Sequence, residues 1–267
     1  MKYTEYFGMK NEPFISNIPT NKLLQLPGTL AVKQRLEYLV NVGGVMALTG
    51  DVGIGKSTAL RWSLDQFHKS ELYSIYITAN TASTNELYKQ LCWELKIDIR
   101  TGSKSLLMKS FKAAIEEIVR QQRCKILIII DEANLLRADV FAEIHAATQF
   151  NYDSKNLFSL VLAGQNSLFD KLKYRISAPL SSRVITRAHL SSITGEQMND
   201  YIKHHLKIVG VKHNIFNENA ISAIYQGSGG LLRKANSLAR GAILACMIDN
   251  ENIVDEEHVR RASTELI

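Results

Sequence analysis

The chain has 267 residues, 46% apolar and 22% charged, which suits an ordinary globular protein with one large domain and a small one. No apolar run approaches the roughly 20 residues of a membrane span, and the N-terminus, MKYTEYFGMKNEPF, has no apolar core of signal-peptide length. Cys92, Cys124 and Cys246 are widely spaced without CxxC pairing, which argues against a disulfide framework or a cysteine metal site and leads to the expectation of a cytoplasmic, membrane-free protein with reduced thiols.

The net charge of +6 is unevenly spread: residues 1–193 hold a balance of +7 and residues 194–267 a balance of −1. The basic excess of the first part is compatible with a polyanionic partner. Taken in chain order, Val45–Leu48, Leu72–Thr78, Lys125–Ile130, Leu157–Leu162 and Arg183–His189 read as strands. Helical patterns lie between them near 56–69, 84–96, 104–122 and 137–150. Such alternation predicts an α/β fold with a mostly parallel sheet covered on both faces.

At Thr194 the rhythm changes. Thr194-Gly195-Glu196-Gln197 has the form of a capping box for a helix to about Ile208. Asn217 and Asp255 can cap further helices over 218–226 and 256–265, and apolar residues fall at helical spacing from Leu231 to Ile248. The expected division is an α/β domain over 1–193 and a small all-helical domain over 194–267.

GDVGIGKS, Gly50 to Ser57, fits G-x-x-x-x-G-K-[ST] between a strand and a helix. Gly50, Gly53 and Gly55 let the backbone curl so that N–H groups point at phosphate oxygens. A helix starting here adds its positive end. Lys56 then reaches the β- and γ-phosphates and the Ser57 hydroxyl ligates Mg²⁺. The ATP-binding set is accordingly Gly50, Asp51, Val52, Gly53, Ile54, Gly55, Lys56, Ser57 and Thr58. The alternative is a chance glycine-rich turn.

KILIIIDEAN supplies the partner motif. Its apolar strand delivers Asp131 to the carboxyl edge of the sheet, where it can hold the magnesium water shell. Glu132 follows, and a carboxylate there can deprotonate an attacking water. A strand-end cap for Asp131 and a surface acid for Glu132 are the plain alternatives.

The layout, with one strand between the two motifs and helices after the sheet, resembles the AAA+ ATPases. More narrowly, it resembles the family of the secretion ATPase ExeA (GspA) and the transposition-helper ATPases TniB, TnsC and MuB. Tyr6-Phe7-Gly8, Pro13-Phe14, GDVGIGKS, IIIDEAN, VLAGQ, LSSRV and GGLLRKAN carry the likeness in order. The resemblance implies a P-loop AAA+ core with a five-stranded parallel sheet and a helical lid, using ATP and Mg²⁺. It also implies roles for three further residues. Gln165 stands at the sensor-1 position, to bind the γ-phosphate or the water. Arg183 stands at the arginine-finger position, with Arg175 and Arg187 as competitors. Arg233 aligns with the sensor-2 arginine, although Leu232 stands where the family usually has proline. A finger acting in trans implies a homo-oligomer, either a ring or a helical filament.

Chains of the ExeA type continue into a transmembrane helix and a cell-wall-binding domain, whereas this sequence stops at Ile267. The resemblance then favours a transposition helper that assembles on DNA and serves a transposase, over a secretion-associated or protein-remodelling ATPase. Residues 96–125 carry eight basic against three acidic side chains. Arg100, Lys104, Lys109 and Lys112 are the candidate contacts to double-stranded DNA, sequence-independent because no base-reading module is evident. A solvated basic helix face is the alternative.

Overall fold

The structure is a computed structural model; it describes residues 2–80, 83–99, 101–151 and 153–265. Five strands form one sheet: β1 (Gly44–Gly50), β2 (Leu72–Thr78), β3 (Lys125–Asp131), β4 (Ser159–Gly164) and β5 (Val184–Leu190). All pairings are parallel and the spatial order is β2-β3-β4-β1-β5. In β3 all six residues from Ile126 to Asp131 are buried, as in a strand covered on both faces. The edge strand β2 instead alternates, with Leu72, Ile75 and Ile77 buried and Ser74, Tyr76 and Thr78 exposed.

Twelve helices accompany the strands among the described residues: α1 (Tyr3–Tyr6), α2 (Pro27–Val42), α3 (Lys56–Leu64), α4 (Thr84–Glu94), α5 (Lys104–Gln122), α6 (Ala138–Thr148), α7 (Ser167–Lys173), α8 (Ala178–Ser181), α9 (Gly195–Ile208), α10 (Glu218–Ser228), α11 (Leu232–Ile248) and α12 (Glu256–Glu265). The chain-order expectations lack α2, although Val32, Leu36, Leu39 and Val40 bury one face at helical spacing. Fully buried Leu107, Phe111 and Ile115 do the same along α5, joining the core that holds the sheet.

Two compact units emerge. One comprises Pro27–Gly50 and Lys56–Leu190 and contains the whole sheet. In it the carboxyl ends of β1, β3 and β4 share one edge, because Leu162 pairs with both Ala47 and Ile130. Loops that follow such an edge are the usual ligand positions of a parallel sheet.

The other unit comprises Ser191–Ile267 together with Met1–Leu26 and Asp51–Gly55. Thr194 makes both halves of its capping box with Gln197, at 3.0 and 3.2 Å, and the Asn217 side chain accepts the Ala220 N–H at 2.8 Å. The unit is larger than residues 194–267, because the N-terminal segment belongs to its core. Phe7, Met9 and Phe14 are buried among the helices. Phe14 stacks on His205, and its N–H donates to His205 Nδ1 at 3.2 Å. Burial, then the neighbouring His204, holds the His205 pKa down to about 4, so the imidazole stays neutral and keeps that acceptor.

Candidate nucleotide site

β1 ends at Gly50, and residues 51–55 turn the chain before Lys56, Ser57 and Thr58 open α3. Gly53 and Gly55 have φ of 79° and 105°, a region where a side chain is strained. Gly53 is also a point of close approach. Its carbonyl accepts the Arg233 N–H at 3.0 Å, and a Cβ on Gly53 would lie 2.7 Å from Arg233 Cβ. The start of α11 therefore rests on the phosphate loop, with the Arg233 side chain exposed.

In the sheet unit Lys56 is buried, and its Nζ donates to the Gly50 carbonyl at 2.8 Å. Ser57 Oγ donates to Asp131 Oδ2 at 2.7 Å. Asp131 is itself buried, and its other oxygen, Oδ1, accepts the Glu132 N–H at 2.9 Å. Glu132 is half-buried in the left-handed region, φ 55°, which turns the chain sharply off the strand. The hydroxyl and carboxylate brought together here are hard oxygen donors suited to Mg²⁺, and the buried ammonium of the residue before Ser57 suits a polyphosphate. The site fits magnesium-bound ATP on these grounds.

Two residues without a sequence-based expectation join this edge. The Tyr76 hydroxyl donates to Asp131 Oδ2, the oxygen that Ser57 also uses. Burial first, and then Asp131, pushes the phenol pKa up. Register explains the contact: Thr78 pairs with Asp131, so Tyr76, two residues back, shares its face. The second is Asn134, whose Oδ1 accepts the Gln165 N–H at 2.9 Å. Gln165 follows β4 directly and is half-buried. Only the strand register and the turn after β3 reveal these neighbours.

The other expected residues are placed differently. The Arg183 guanidinium is engaged within its own chain by Asp153, with Asn156 Oδ1 at 3.4 Å, and its side chain is 17% exposed. Arg187 lies over the Phe169 ring, 5.7 Å from its centroid, and Arg175 is exposed. Lys104 pairs with Glu143 at 2.6 Å. Lys112 donates to the Gln149 carbonyl at 2.8 Å and sits 5.3 Å from the Phe150 centroid, with its pKa lowered by burial. Lys109 is exposed, and Arg100 lies outside the described residues.

The sheet order, the glycine-turned loop and the Ser57–Asp131–Glu132 arrangement define a P-loop nucleoside triphosphatase of the AAA+ class. Comparison with known proteins agrees. The AAA domain family matches residues 40–172. General secretion pathway protein A of Aeromonas hydrophila is 28% identical over 247 residues, 91% of this chain and 44% of that protein. This chain thus spans less than half the length of that relative. Cdc6p from Pyrobaculum aerophilum shares the fold with a TM-score of 0.76 at 19% identity, over 95% of this chain and 70% of that one. The Aeropyrum pernix ORC1 protein, solved in complex with DNA, gives 0.71 at 19% identity, over 93% and 68%. The AAA domain and the likeness to General secretion pathway protein A support an AAA+ ATPase of the ExeA/GspA-like family, a class of enzyme that uses ATP with Mg²⁺. Among its described residues no helix is long and apolar enough to cross a membrane.

Proposed function

We propose that this chain hydrolyses ATP to control its own assembly on double-stranded DNA, as a transposition helper that recruits or activates a transposase. The observation that carries the hydrolytic part is the shared Asp131 carboxylate, with Ser57 on one oxygen and the Glu132 N–H on the other. Ser57 and Asp131 would hold Mg²⁺, which neutralises charge on the phosphates when bound. Lys56 and the loop N–H groups bind the β- and γ-phosphates. Glu132 takes a proton from water as its oxygen bonds to the γ-phosphorus. The bond from that phosphorus to the bridging oxygen breaks, and ADP and phosphate leave. Gln165 holds the γ-phosphate or the water, and Arg233 serves as the sensor-2 arginine that the resemblance implies. Arg183 serves the site of a neighbouring subunit after exchanging Asp153 for phosphate.

Support for the DNA part comes from the basic segment 96–125 and its exposed Lys109. A protein of the same fold in complex with DNA is in keeping with it. The second reading, a secretion-associated or protein-remodelling ATPase without DNA, is favoured by the 28% identity to General secretion pathway protein A and by the internal partners of Lys104 and Lys112. Anisotropy of a labelled duplex across a salt series, with and without a non-hydrolysable ATP analogue, separates the two. Nucleotide-dependent, salt-sensitive binding on any sequence is expected; its absence at low salt gives the protein to the second reading.

A further inference from the structure

At the carboxyl edge of the sheet lies a buried amide that the proposed mechanism does not use. Asn134 stands in the short 3-10 turn Ala133–Leu135 after β3 and is 8% exposed. Its Oδ1 accepts the Gln165 N–H at 2.9 Å. Gly164 leaves room for this contact: a Cβ there would lie 2.5 Å from Asn134 Oδ1 and 3.0 Å from Asn134 N.

The location gives the bond a purpose. The pairing of β3 with β4 runs from Leu127↔Ser159 to Ile130↔Leu162. Glu132 and Gln165 lie past that ladder, one after each strand, so sheet hydrogen bonds do not set their separation. Glu132 is fixed to the Asn134 turn, because its carbonyl accepts the Leu135 N–H at 2.8 Å. Gly164 is fixed to β1 through its pairing with Thr49. The Asn134 side chain bridges the two ends. An amide is a costly filler for a buried position unless its bond matters.

We propose that Asn134 is a positioning residue for hydrolysis, fixing the Gln165 backbone in one frame with Asp131 and Glu132. The inference rests on the reading of Gln165 as the contact to γ-phosphate or water. A misplacement of about 1 Å at a reacting group can cost on the order of 10²-fold in rate, and the loss falls on kcat because Asn134 holds the Gln165 backbone rather than the loop that binds the nucleotide.

The test compares phosphate release and binding of a fluorescent ATP analogue for Asn134→Ala, Gly164→Ala, Gln165→Ala and the Asn134→Ala/Gln165→Ala double variant. Asn134→Ala should lower kcat by roughly 10- to 100-fold with nucleotide affinity within about threefold. Gly164→Ala keeps the amide but fills its space, and should reproduce that split; it carries the test if Asn134→Ala does not fold. In the Gln165→Ala background Asn134→Ala should add less than about twofold, since coupled residues are not additive. Fully multiplying losses, or unchanged kcat in both Asn134→Ala and Gly164→Ala, overturn the positioning role. If Gln165→Ala alone turns over at the wild-type rate, the reading of Gln165 fails and the inference falls with it. A slow Gln165→Ala beside a normal Asn134→Ala sinks the inference alone.

Discussion

The nucleotide edge of the sheet and the basic segment 96–125 both concentrate charge, and the fold treats the two in opposite ways. At the edge, Lys56 and Asp131 are buried, and Ser57, Tyr76 and Glu132 all direct donors at one carboxylate. Burying such groups costs several kcal/mol unless they are paired, so their convergence marks a site built to receive a charged ligand. In the basic segment the described cations are solvated or already matched: Lys104 by Glu143, 39 residues away, and Lys112 by the Gln149 carbonyl, 37 residues away. A count of charges therefore overstates what that surface offers. Arg183, held by Asp153, stands between the two cases.

Arg183 gives the largest expected effect and the most direct way to break the contrast. If an internally paired cation still functions, Arg183→Ala should bind ATP normally and lose roughly 10³-fold or more in turnover. Mixing it with Lys56→Ala, which has an intact Arg183 but no working phosphate site, should restore activity at mixed interfaces. Wild-type turnover by Arg183→Ala places the residue in a structural pair with Asp153, in line with Lys104. Glu132→Gln comes next. It should retain ATP while phosphate release falls by about 10²- to 10⁴-fold, and unimpaired release would remove Glu132 as the base.

How much of this was legible in the sequence follows from the range of each interaction. The phosphate loop and Asp131 declare themselves because a local motif fixes their geometry, and the apolar strand Ile126–Ile130 aims Asp131 by its own direction. All five strands follow from local pattern as well, with ends displaced by no more than two residues. Tyr76 and Asn134 do not, because their contacts depend on which strands pair and in what register. The place of Phe7 and Phe14 in the helical unit is equally hidden, since the partner of Phe14, His205, lies 191 residues away. The partners of Arg183, Lys104 and Lys112 come from other elements, and no periodicity announces them.

Tyr76 sharpens the account of the edge at a smaller scale. Tyr76→Phe keeps the ring and removes the hydroxyl that Asp131 accepts. Groups that orient a metal-binding carboxylate are worth about 10- to 100-fold in metal affinity, so the Mg²⁺ concentration for half-maximal hydrolysis should rise within that range. An unchanged Mg²⁺ dependence would mean that Ser57 and the Glu132 N–H suffice to orient Asp131.

The smallest effect tests the other region, through individual lysines. A phosphate contact to duplex DNA contributes about 0.9 to the slope of log affinity against log salt. Lys109 is exposed, so it is open to a phosphate, and Lys109→Ala should reduce the slope by about that amount. Lys104 would have to leave Glu143, a pair of partly exposed groups worth less than about 1 kcal/mol, so Lys104→Ala should change the slope by less. Lys112 is held twice, by the Gln149 carbonyl and over Phe150, and Lys112→Ala should leave the slope unchanged. None of the three belongs to the phosphate site, so ATP hydrolysis without DNA serves as the control. Three equal reductions would show that internal pairing does not withhold these cations, and the contrast between the two regions would then rest on burial alone.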